Sequence, residues 1–255
     1  MKRFSGILIG SSILISMLVT PSQAAMTVSS PAPMGGTFFS VAVPKSVLNS
    51  TLFGTDGKPF NLNIFKGKYL VLSPFLTTCQ EICPMVSANM LSIAKAVNKS
   101  GLANQVKVIE VSVDPGRDTA ERIKAYQDLF GDNSWLMASG TEANLKPFWK
   151  FFGAQATKMP YSAKAMKEMP VDWQSGKKNT YDMMHTDEVL IISPDQKWVW
   201  LDLGSPAIGK GSIPPKLKSF LNAQGIANLA KPEEPSWNVT AVTAALSQLI
   251  GKKIA

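Results

Sequence analysis

Residues 68–97 read KYLVLSPFLTTCQEICPMVSANMLSIAKAV and contain the main structural signals of the chain. The first part of this stretch, Lys68–Phe75, is a compact apolar run that is typical of a strand buried on both faces. Pro84 suits the first turn of a helix, because a backbone N–H is not needed there. From Met85 to Val97 apolar residues recur at helical spacing. The stretch therefore predicts a strand, a turn that carries two cysteines, and a helix.

Further strands and helices follow on the carboxyl side. Val106–Val113 repeats the pattern of a buried strand, and residues 118–130 begin and end like a helix. Asp187–Ile192 and Lys197–Leu203 flank a Ser-Pro-Asp-Gln turn and predict a β-hairpin. The alternation of strands and helices in the first half implies a parallel core. We therefore predict an α/β, thioredoxin-like fold: a central mixed sheet flanked by helices, with an N-terminal arm and a C-terminal extension.

The chain contains two cysteines, Cys79 and Cys83, which lie between the first predicted strand and its helix. Three intervening residues place the two sulfurs about one helical turn apart. The N-terminus of a helix stabilises a thiolate, because unpaired N–H groups and the helix dipole favour negative charge there. The pair can form a redox disulfide or hold one metal ion. A purely structural bridge is disfavoured, since so small a loop gains little entropy from closure.

The chain contains one histidine, His185, just before the predicted hairpin. Most lone histidines are surface residues or hydrogen-bonded core groups. However, the strand after His185 should lie beside the first central strand, so its loop would overhang the cysteines. Two thiolates and one imidazole would form a soft set that suits Cu(I), holds Cu(II) with an added oxygen ligand, or holds Zn(II) with a fourth ligand. A blue-copper site is excluded, because it needs two histidines.

Methionines cluster in the irregular segment that leads to His185. They are Met159, Met166, Met169, Met183 and Met184. The ordinary interpretation is adaptable packing by a flexible side chain. The alternative is that thioethers, in particular those adjacent to the histidine at 183 and 184, pass copper to or from the main site.

The N-terminus has the pattern of a secretory signal peptide. Lys2 and Arg3 precede the apolar run Phe4–Val19, and small residues lead to a cleavage position after Ala24. Cleavage would lower the formal net charge from +8 to +6. We expect a soluble periplasmic or otherwise exported protein without a permanent membrane span; an uncleaved N-terminal membrane anchor is the alternative. Nucleic acid is not expected as a partner of such a chain.

Three motifs together resemble those of the Sco/SenC copper chaperones. They are Thr77-Thr-Cys79-Gln-Glu-Ile-Cys83-Pro84, Val111-Ser-Val-Asp114-Pro-Gly-Arg117-Asp118-Thr119, and His185 before a hairpin with Ser193-Pro-Asp195. The likeness covers about residues 50–221. It implies a thioredoxin-like fold, a copper ion bound by Cys79, Cys83 and His185, and assistance in loading the binuclear copper site of cytochrome c oxidase. It also implies thiol–disulfide chemistry toward the client's cysteines, and it places Asp114 near the site as a group that orients or tunes it.

The resemblance completes the predicted organisation of the chain. We expect a signal peptide over 1–24, a flexible linker over 25–45, a thioredoxin-like copper-binding domain over 46–225, and a C-terminal extension over 226–255 with an amphipathic helix. The segment rich in methionine and the C-terminal extension are not part of the family pattern. Many family members also keep a membrane anchor, whereas we expect this chain to be secreted.

The sequence is compatible with three classes of function. The leading hypothesis is a non-enzymatic metallochaperone whose partners are the oxidase subunit with the binuclear copper site, or another copper protein, and a periplasmic thiol reductant. The alternative is an enzyme, a periplasmic thiol–disulfide oxidoreductase or thiol peroxidase, which would use one reactive and one resolving cysteine. The peroxidase would not need His185, so replacing that residue separates the two. A copper- or redox-sensing partner of a signalling protein is a third possibility.

Overall fold

The apolar run before the cysteines forms a strand at Tyr69–Phe75, in which every residue after Tyr69 is buried. The next run forms a second strand at Val106–Ser112, parallel to the first, and the helix Cys83–Lys99 connects them. The computed structural model describes residues 29–31, 35–154, 156–168, 171–209 and 212–254. The predicted signal peptide over 1–24 lies outside the described residues.

The described part of the chain contains the following elements. The strands are β1 (Ser29–Pro31), β2 (Thr37–Ala42), β3 (Leu52–Gly54), β4 (Pro59–Phe60), β5 (Tyr69–Phe75), β6 (Val106–Ser112), β7 (Leu136–Gly140), β8 (Thr157–Pro160), β9 (Tyr181–Met184), β10 (Glu188–Ile192), β11 (Lys197–Leu203), β12 (Ser205–Ala207) and β13 (Ser236–Asn238). The helices are α1 (Lys45–Leu48), α2 (Cys83–Lys99), α3 (Ala120–Asp128), α4 (Glu142–Phe152), α5 (Ala163–Glu168), α6 (Pro215–Lys218), α7 (Ala223–Ala230) and α8 (Val239–Ile250), with a 3₁₀ turn at Leu62–Phe65.

The predicted central mixed sheet is present, and helices pack against it. Nine of the described strands form a sheet in the order β1-β2-β11-β10-β5-β6-β7-β3-β4, and β8 with β9 and β12 with β13 form two separate two-stranded sheets. β5, β6 and β7 run parallel, whereas β10 pairs antiparallel with β5 and with β11. Helix α2 packs against β5 and β6. The carboxyl ends of β5 and β6 and the start of β10 therefore meet at one edge of the sheet, and the cysteine turn lies there.

The predicted flexible linker over 25–45 is wrong for Thr37–Ala42, because these residues form strand β2. This strand pairs antiparallel with β11, with Phe38 opposite Trp200. The run Thr-Phe-Phe-Ser-Val-Ala is rich in residues that favour strands, but the glycines before it gave it the composition of a linker. Gly36 has a positive φ of 73°, and a Cβ there would lie 2.5 Å from the Trp200 ring. A glycine is therefore required where the chain passes this tryptophan.

The predicted C-terminal extension over 226–255 belongs to the same core as the rest of the fold. Its amphipathic helix is present as α8, which packs on α2 and buries Val242 and Leu246 completely. β13 pairs with β12 and buries Trp237. The boundary predicted after residue 225 falls inside α7. In the part of the chain that the structure describes, no helix has both the length and the apolar composition needed to cross a bilayer.

Candidate metal centre

The two cysteines lie together in the turn between β5 and α2, and both are free thiols. The Cys79 sulfur accepts hydrogen bonds from two backbone N–H groups in the first turn of α2, that of Ile82 at 3.4 Å and that of Cys83 at 3.3 Å. The helix begins at Cys83, with Pro84 in its first turn as predicted. The N-terminus of α2 thus directs donors at the Cys79 sulfur, an arrangement that favours negative charge there.

The two thiols differ in their access to solvent. Cys83 is fully buried, whereas Cys79 is partly exposed. Burial raises the pKa of the Cys83 thiol well above its usual value, and its hydrogen bond and charge interaction with Cys79 raise it further. An incoming partner therefore meets Cys79 first, and Cys83 has to lose its proton in a dry environment.

The start of the cysteine turn is held by a buried carboxylate from the second motif. Asp118 accepts hydrogen bonds from the Thr77 N–H at 3.2 Å, from the Thr77 hydroxyl, and from the Ser112 hydroxyl at 2.6 Å. Burial raises the pKa of Asp118 to about 6, although these hydrogen bonds oppose that shift. Asp118 was named in the sequence motif, but its contact with the cysteine turn was not predicted.

The irregular segment before β9 closes over the same turn. The Trp173 indole donates to the Thr77 carbonyl at 2.7 Å. Arg122 lies over the Trp173 ring, 5.0 Å from its centroid, and pairs with Asp172 at 3.2 Å from Nη1 to Oδ1. Nothing in the sequence around Trp173 indicated these contacts, because the segment has no periodicity.

The C-terminal segment supports the turn from another direction. The Asn222 N–H donates to the Gln80 carbonyl at 3.0 Å, and its side-chain amide donates to Glu81 at 3.0 Å. A Cβ on Gly225 would lie only 2.2 Å from the same Gln80 oxygen, so α7 can approach the turn only with glycine at this position. A glycine inside a helical pattern is a signal of such close approach, and it could have been used.

His185 lies at the same end of the sheet as the cysteines. β10 pairs with β5 so that Leu190 is opposite Leu72, and continuing this register places His185 at the level of Thr77. Its side chain is 6% exposed. The Nδ1 atom lies 3.0 Å from the Thr186 carbonyl oxygen and 3.4 Å from Asp187 Oδ1.

Cys79 and Cys83 lie together in the structure, but the imidazole of His185 is not grouped with them as a set of metal ligands. Among the described residues, no three Cys, His, Asp or Glu side chains are grouped so that they could hold a metal ion. The ligand set implied by the sequence resemblance therefore stays a prediction. The strand order does confirm that the strand after His185 lies beside the first central strand.

Asp114 is buried, lies two residues after the carboxyl end of β6 and contacts β9. It accepts a hydrogen bond from Tyr181 at 3.2 Å and pairs with Arg117. Arg117 also donates to the Tyr181 carbonyl at 2.8 Å and stacks on its ring at 3.7 Å. Tyr181 begins the strand that ends one residue before His185. Asp114 thus contacts the segment that carries the histidine, while its role in orienting the site stays a prediction.

The methionines adjacent to His185 lie on β9, which pairs with β8. Met183 is opposite Lys158 and Met184 is opposite Thr157. Met183 packs partly against the core, whereas Met184 is 60% exposed. Met159 on β8 is also exposed, and Met169 lies outside the described residues. The expected part of Met183 and Met184 in copper handling stays a prediction.

Two carboxyl groups lie two and three residues after His185, on Asp187 and Glu188. Burial raises the pKa of Asp187, and the neighbouring His185 opposes this shift. Burial raises the pKa of Glu188 to about 8, and the charge of Asp187 adds to the effect. Oε1 of Glu188 is buried and has no hydrogen-bond partner in the described part of the chain. Glu188 is therefore held as the neutral acid near pH 7.

We expect the free energy of unfolding to fall as the pH rises from about 5 to about 8. The folded state keeps the Glu188 proton up to about pH 8, whereas an unfolded glutamate loses it near pH 4.3, so the folded state binds more protons in this window. The slope per proton is at most about 1.4 kcal/mol per pH unit. In Glu188→Gln, the free energy of unfolding should fall less steeply with pH, as measured by urea titrations at several pH values. The exposed Glu142→Gln is the control, and equal slopes in both variants would contradict the assignment.

Comparisons with known proteins point to one family. The family model SCO1/SenC matches residues 47–203. The SCO1 protein homolog of Bacillus subtilis is 30% identical over 101 residues, which is 38% of this chain and 51% of that protein. A protein of Stutzerimonas stutzeri that is named as a candidate copper-binding protein is 22% identical over 144 residues, 56% of this chain and 62% of that protein. The chain thus spans only about half to three fifths of the length of these relatives.

A solved structure supports the fold. The solution structure of apo Sco1 from Thermus thermophilus superposes with a TM-score of 0.50 at 22% identity, over 87% of this chain and 99% of that one. At this identity the likeness bears on the fold alone. Together with the observed sheet, it confirms the predicted α/β, thioredoxin-like fold class.

Proposed function

The chain belongs to the SCO1/SenC family, and we propose that it is an exported copper chaperone. It binds one copper ion through the Cys79 and Cys83 thiolates and the His185 imidazole, and it delivers that ion to a copper protein. The observation that supports this proposal most is the pair of free, adjacent thiols at the N-terminus of α2. A relative from Stutzerimonas stutzeri that is named as a candidate copper-binding protein supports the choice of metal.

The donor set suits copper. Two thiolate sulfurs and one imidazole nitrogen satisfy Cu(I) in a trigonal arrangement, and an added oxygen ligand would accommodate Cu(II). The Nδ1 atom of His185 lies within hydrogen-bonding distance of the Thr186 carbonyl oxygen. A carbonyl can only accept, so Nδ1 carries the proton and Nε2 presents its lone pair. A metal-binding histidine commonly has this tautomer, fixed by a carbonyl or carboxylate behind the ring.

The order in which the two thiols release copper follows from their different exposure to solvent. A client with more numerous thiolate or imidazole ligands takes the ion by ligand exchange. The exchange begins at partly exposed Cys79 and ends at buried Cys83. We propose that Asp114 supports the site through its contact with Tyr181, and that Met183 and Met184 on β9 are auxiliary copper contacts.

The proposed client is the cytochrome c oxidase subunit that bears the binuclear copper site, or another exported copper protein. The family that the chain belongs to supports the first choice. A periplasmic thiol reductant would keep the cysteine pair open, because an exporting cell places such a pair in an oxidising compartment. The predicted signal peptide over 1–24 supports export to the periplasm.

A second candidate function is thiol–disulfide exchange or peroxide reduction. It is favoured by one observation, the combination of an accessible Cys79 with a buried Cys83 one turn away. In this alternative Cys79 is the attacking thiol and Cys83 the resolving one. The two functions differ in whether they need the imidazole.

His185→Ala separates the two candidates. The chaperone proposal predicts a loss of Cu(I) affinity of at least about a hundredfold, ~2.7 kcal/mol, because one of three ligands is gone. Competition with a Cu(I) chelator under anaerobic conditions measures it, and peroxide consumption is measured on the same samples. The exposed neighbour Thr186→Ala is the control. Unchanged copper affinity in the histidine variant, together with peroxide turnover that does not need His185, would replace the chaperone by the enzyme.

A further inference from the structure

A cavity of about 510 Å³ lies just after the carboxyl end of β6 and is lined by residues of α4, β8 and β9. Pockets of about 300–1,000 Å³ are of the size that holds small organic molecules, with largely apolar walls and a few polar groups. Asp114 and Tyr181 line one side of the cavity and belong to the contacts described above. The lining residues from α4 and β8 are not used by the proposed copper site, and they determine what the cavity can bind.

The floor of the cavity is apolar. Leu145 and Trp149 of α4 are buried and lie four residues apart, so they share one face of the helix. Ala154 is also buried, and Met183 of β9 adds a thioether to the lining. The Trp149 indole donates to the Ser112 carbonyl at 2.9 Å, which fixes the orientation of the ring. An aromatic or aliphatic group therefore finds an ordered apolar surface here.

The rim of the cavity is basic. Lys146 and Lys150 are exposed and also lie four residues apart on α4, next to the apolar row, and Lys158 comes from β8. The Lys158 ammonium lies 3.9 Å from the centroid of the Tyr181 ring, which places it at the wall of the cavity. In the described part of the chain, none of the three lysines forms an ion pair with a carboxylate. Their charges are therefore available to a ligand.

Among the described residues that line the cavity, Asp114 and Glu142 are acidic, but they do not neutralise the rim. Asp114 pairs with Arg117 and accepts a hydrogen bond from the Tyr181 hydroxyl at 3.2 Å, so a cation already compensates its charge. Glu142, in the first turn of α4, is exposed and leaves one carboxylate beside the lysines. A cleft lined mainly by one sign of charge concentrates ions of the opposite sign. The cavity therefore favours an anion over a neutral molecule or a cation.

We propose that this cavity binds a small organic anion that carries an apolar group. The apolar group packs on Leu145 and Trp149, and the anionic group contacts the ammonium groups of Lys146, Lys150 and Lys158. Both parts of the ligand are needed, because exposed lysines alone bind an anion weakly in water. The inference goes beyond copper delivery and does not rest on it, since none of these five side chains is a proposed copper ligand.

The probe is 4-phenylbutyrate, titrated into the ¹⁵N-labelled protein and followed by ¹H–¹⁵N correlation spectra. The backbone amides of Gly116, Ala154 and Lys158, which line the cavity, should shift together with a dissociation constant on the order of 1 mM. Butyrate lacks the phenyl group, and 4-phenylbutanamide lacks the charge. Each should bind at least about tenfold more weakly, because it loses either the apolar contact or the attraction to the lysines.

The double variant Lys146→Gln with Lys150→Gln tests the rim. It removes two of the three ammonium groups and should weaken binding of 4-phenylbutyrate by about tenfold. Both side chains are exposed, so the fold does not depend on burying them. The matched control is Lys231→Gln with Lys253→Gln, which removes the same charge from exposed positions outside the cavity. Its affinity should stay within about twofold of the wild type, because distant surface charges are screened by salt.

The proposal is overturned if 4-phenylbutyrate shifts no amide of the cavity, or if butyrate or 4-phenylbutanamide binds as tightly. Equal affinities in the two double variants would also overturn it, because net charge alone would then explain the binding. The three probes are compared on the wild type, so they decide the proposal even if a variant does not fold. Copper takes no part in these measurements, so their failure leaves the proposed chaperone function in place.

Discussion

Cys83→Ser is expected to lower the Cu(I) affinity of the reduced protein by at least about a thousandfold, ~4 kcal/mol. A serine hydroxyl stays protonated at neutral pH and is a hard donor, whereas Cu(I) prefers soft thiolate sulfur. Because Cys83 is fully buried, a water molecule does not readily take the place of the lost ligand. Cys79→Ser should have an effect of the same order, since the two sulfurs share one ion.

The measurement is an anaerobic Cu(I) titration of the reduced proteins against a chelator of known affinity. Met85→Leu is the matched control, because Met85 is another fully buried sulfur in the first turn of α2 and the substitution nearly conserves volume. The control should keep wild-type affinity and bind one ion. Indifference to either cysteine, or a stoichiometry other than one, would contradict the proposed ligand set.

Asp118→Ala is expected to lower the free energy of unfolding by about 3–5 kcal/mol. It removes the acceptor for the Thr77 N–H and for the hydroxyls of Thr77 and Ser112, all of which are buried. Each buried donor that loses its partner costs about 1–3 kcal/mol. Because Thr77 lies two residues before Cys79, the change should also weaken copper binding through a looser cysteine turn.

Urea denaturation at pH 7 measures the loss of stability. The control is Asp128→Ala, which removes another carboxylate of the same segment, one that is exposed and pairs with Lys124 on the surface. A surface pair of this kind contributes at most about 1 kcal/mol. If the two variants lose the same small amount of stability, Asp118 does not hold the turn as the hydrogen bonds indicate.

The central elements of the fold could be predicted because their sequences have one strong signal each. The continuous apolar runs became β5 and β6, the helical stripe after Pro84 became α2, and the Ser-Pro-Asp-Gln turn joins β10 to β11. The strands that were missed have weaker signals. Leu136–Gly140 is short and contains small residues, and Thr37–Ala42 follows two glycines. Both are stabilised by neighbouring strands that are distant in sequence, which local pattern cannot show.

The site was predictable in part for the same reason. The position of the two cysteines on the helix N-terminus follows from local sequence, and the place of the His185 loop follows from strand order. The groups that support the turn are brought there by tertiary contacts alone. Trp173 comes from an irregular segment and Gly225 from the C-terminal segment.

In the proposed site the imidazole of His185 joins both cysteine sulfurs on one copper ion. X-ray absorption spectroscopy of the Cu(I)-loaded protein identifies the atoms bound to copper, and the His185→Ala variant is measured alongside. We expect two sulfur scatterers and one nitrogen scatterer in the wild type, with the nitrogen lost from the variant. A wild-type spectrum with sulfur scatterers alone, or one that the histidine substitution leaves unchanged, would contradict it.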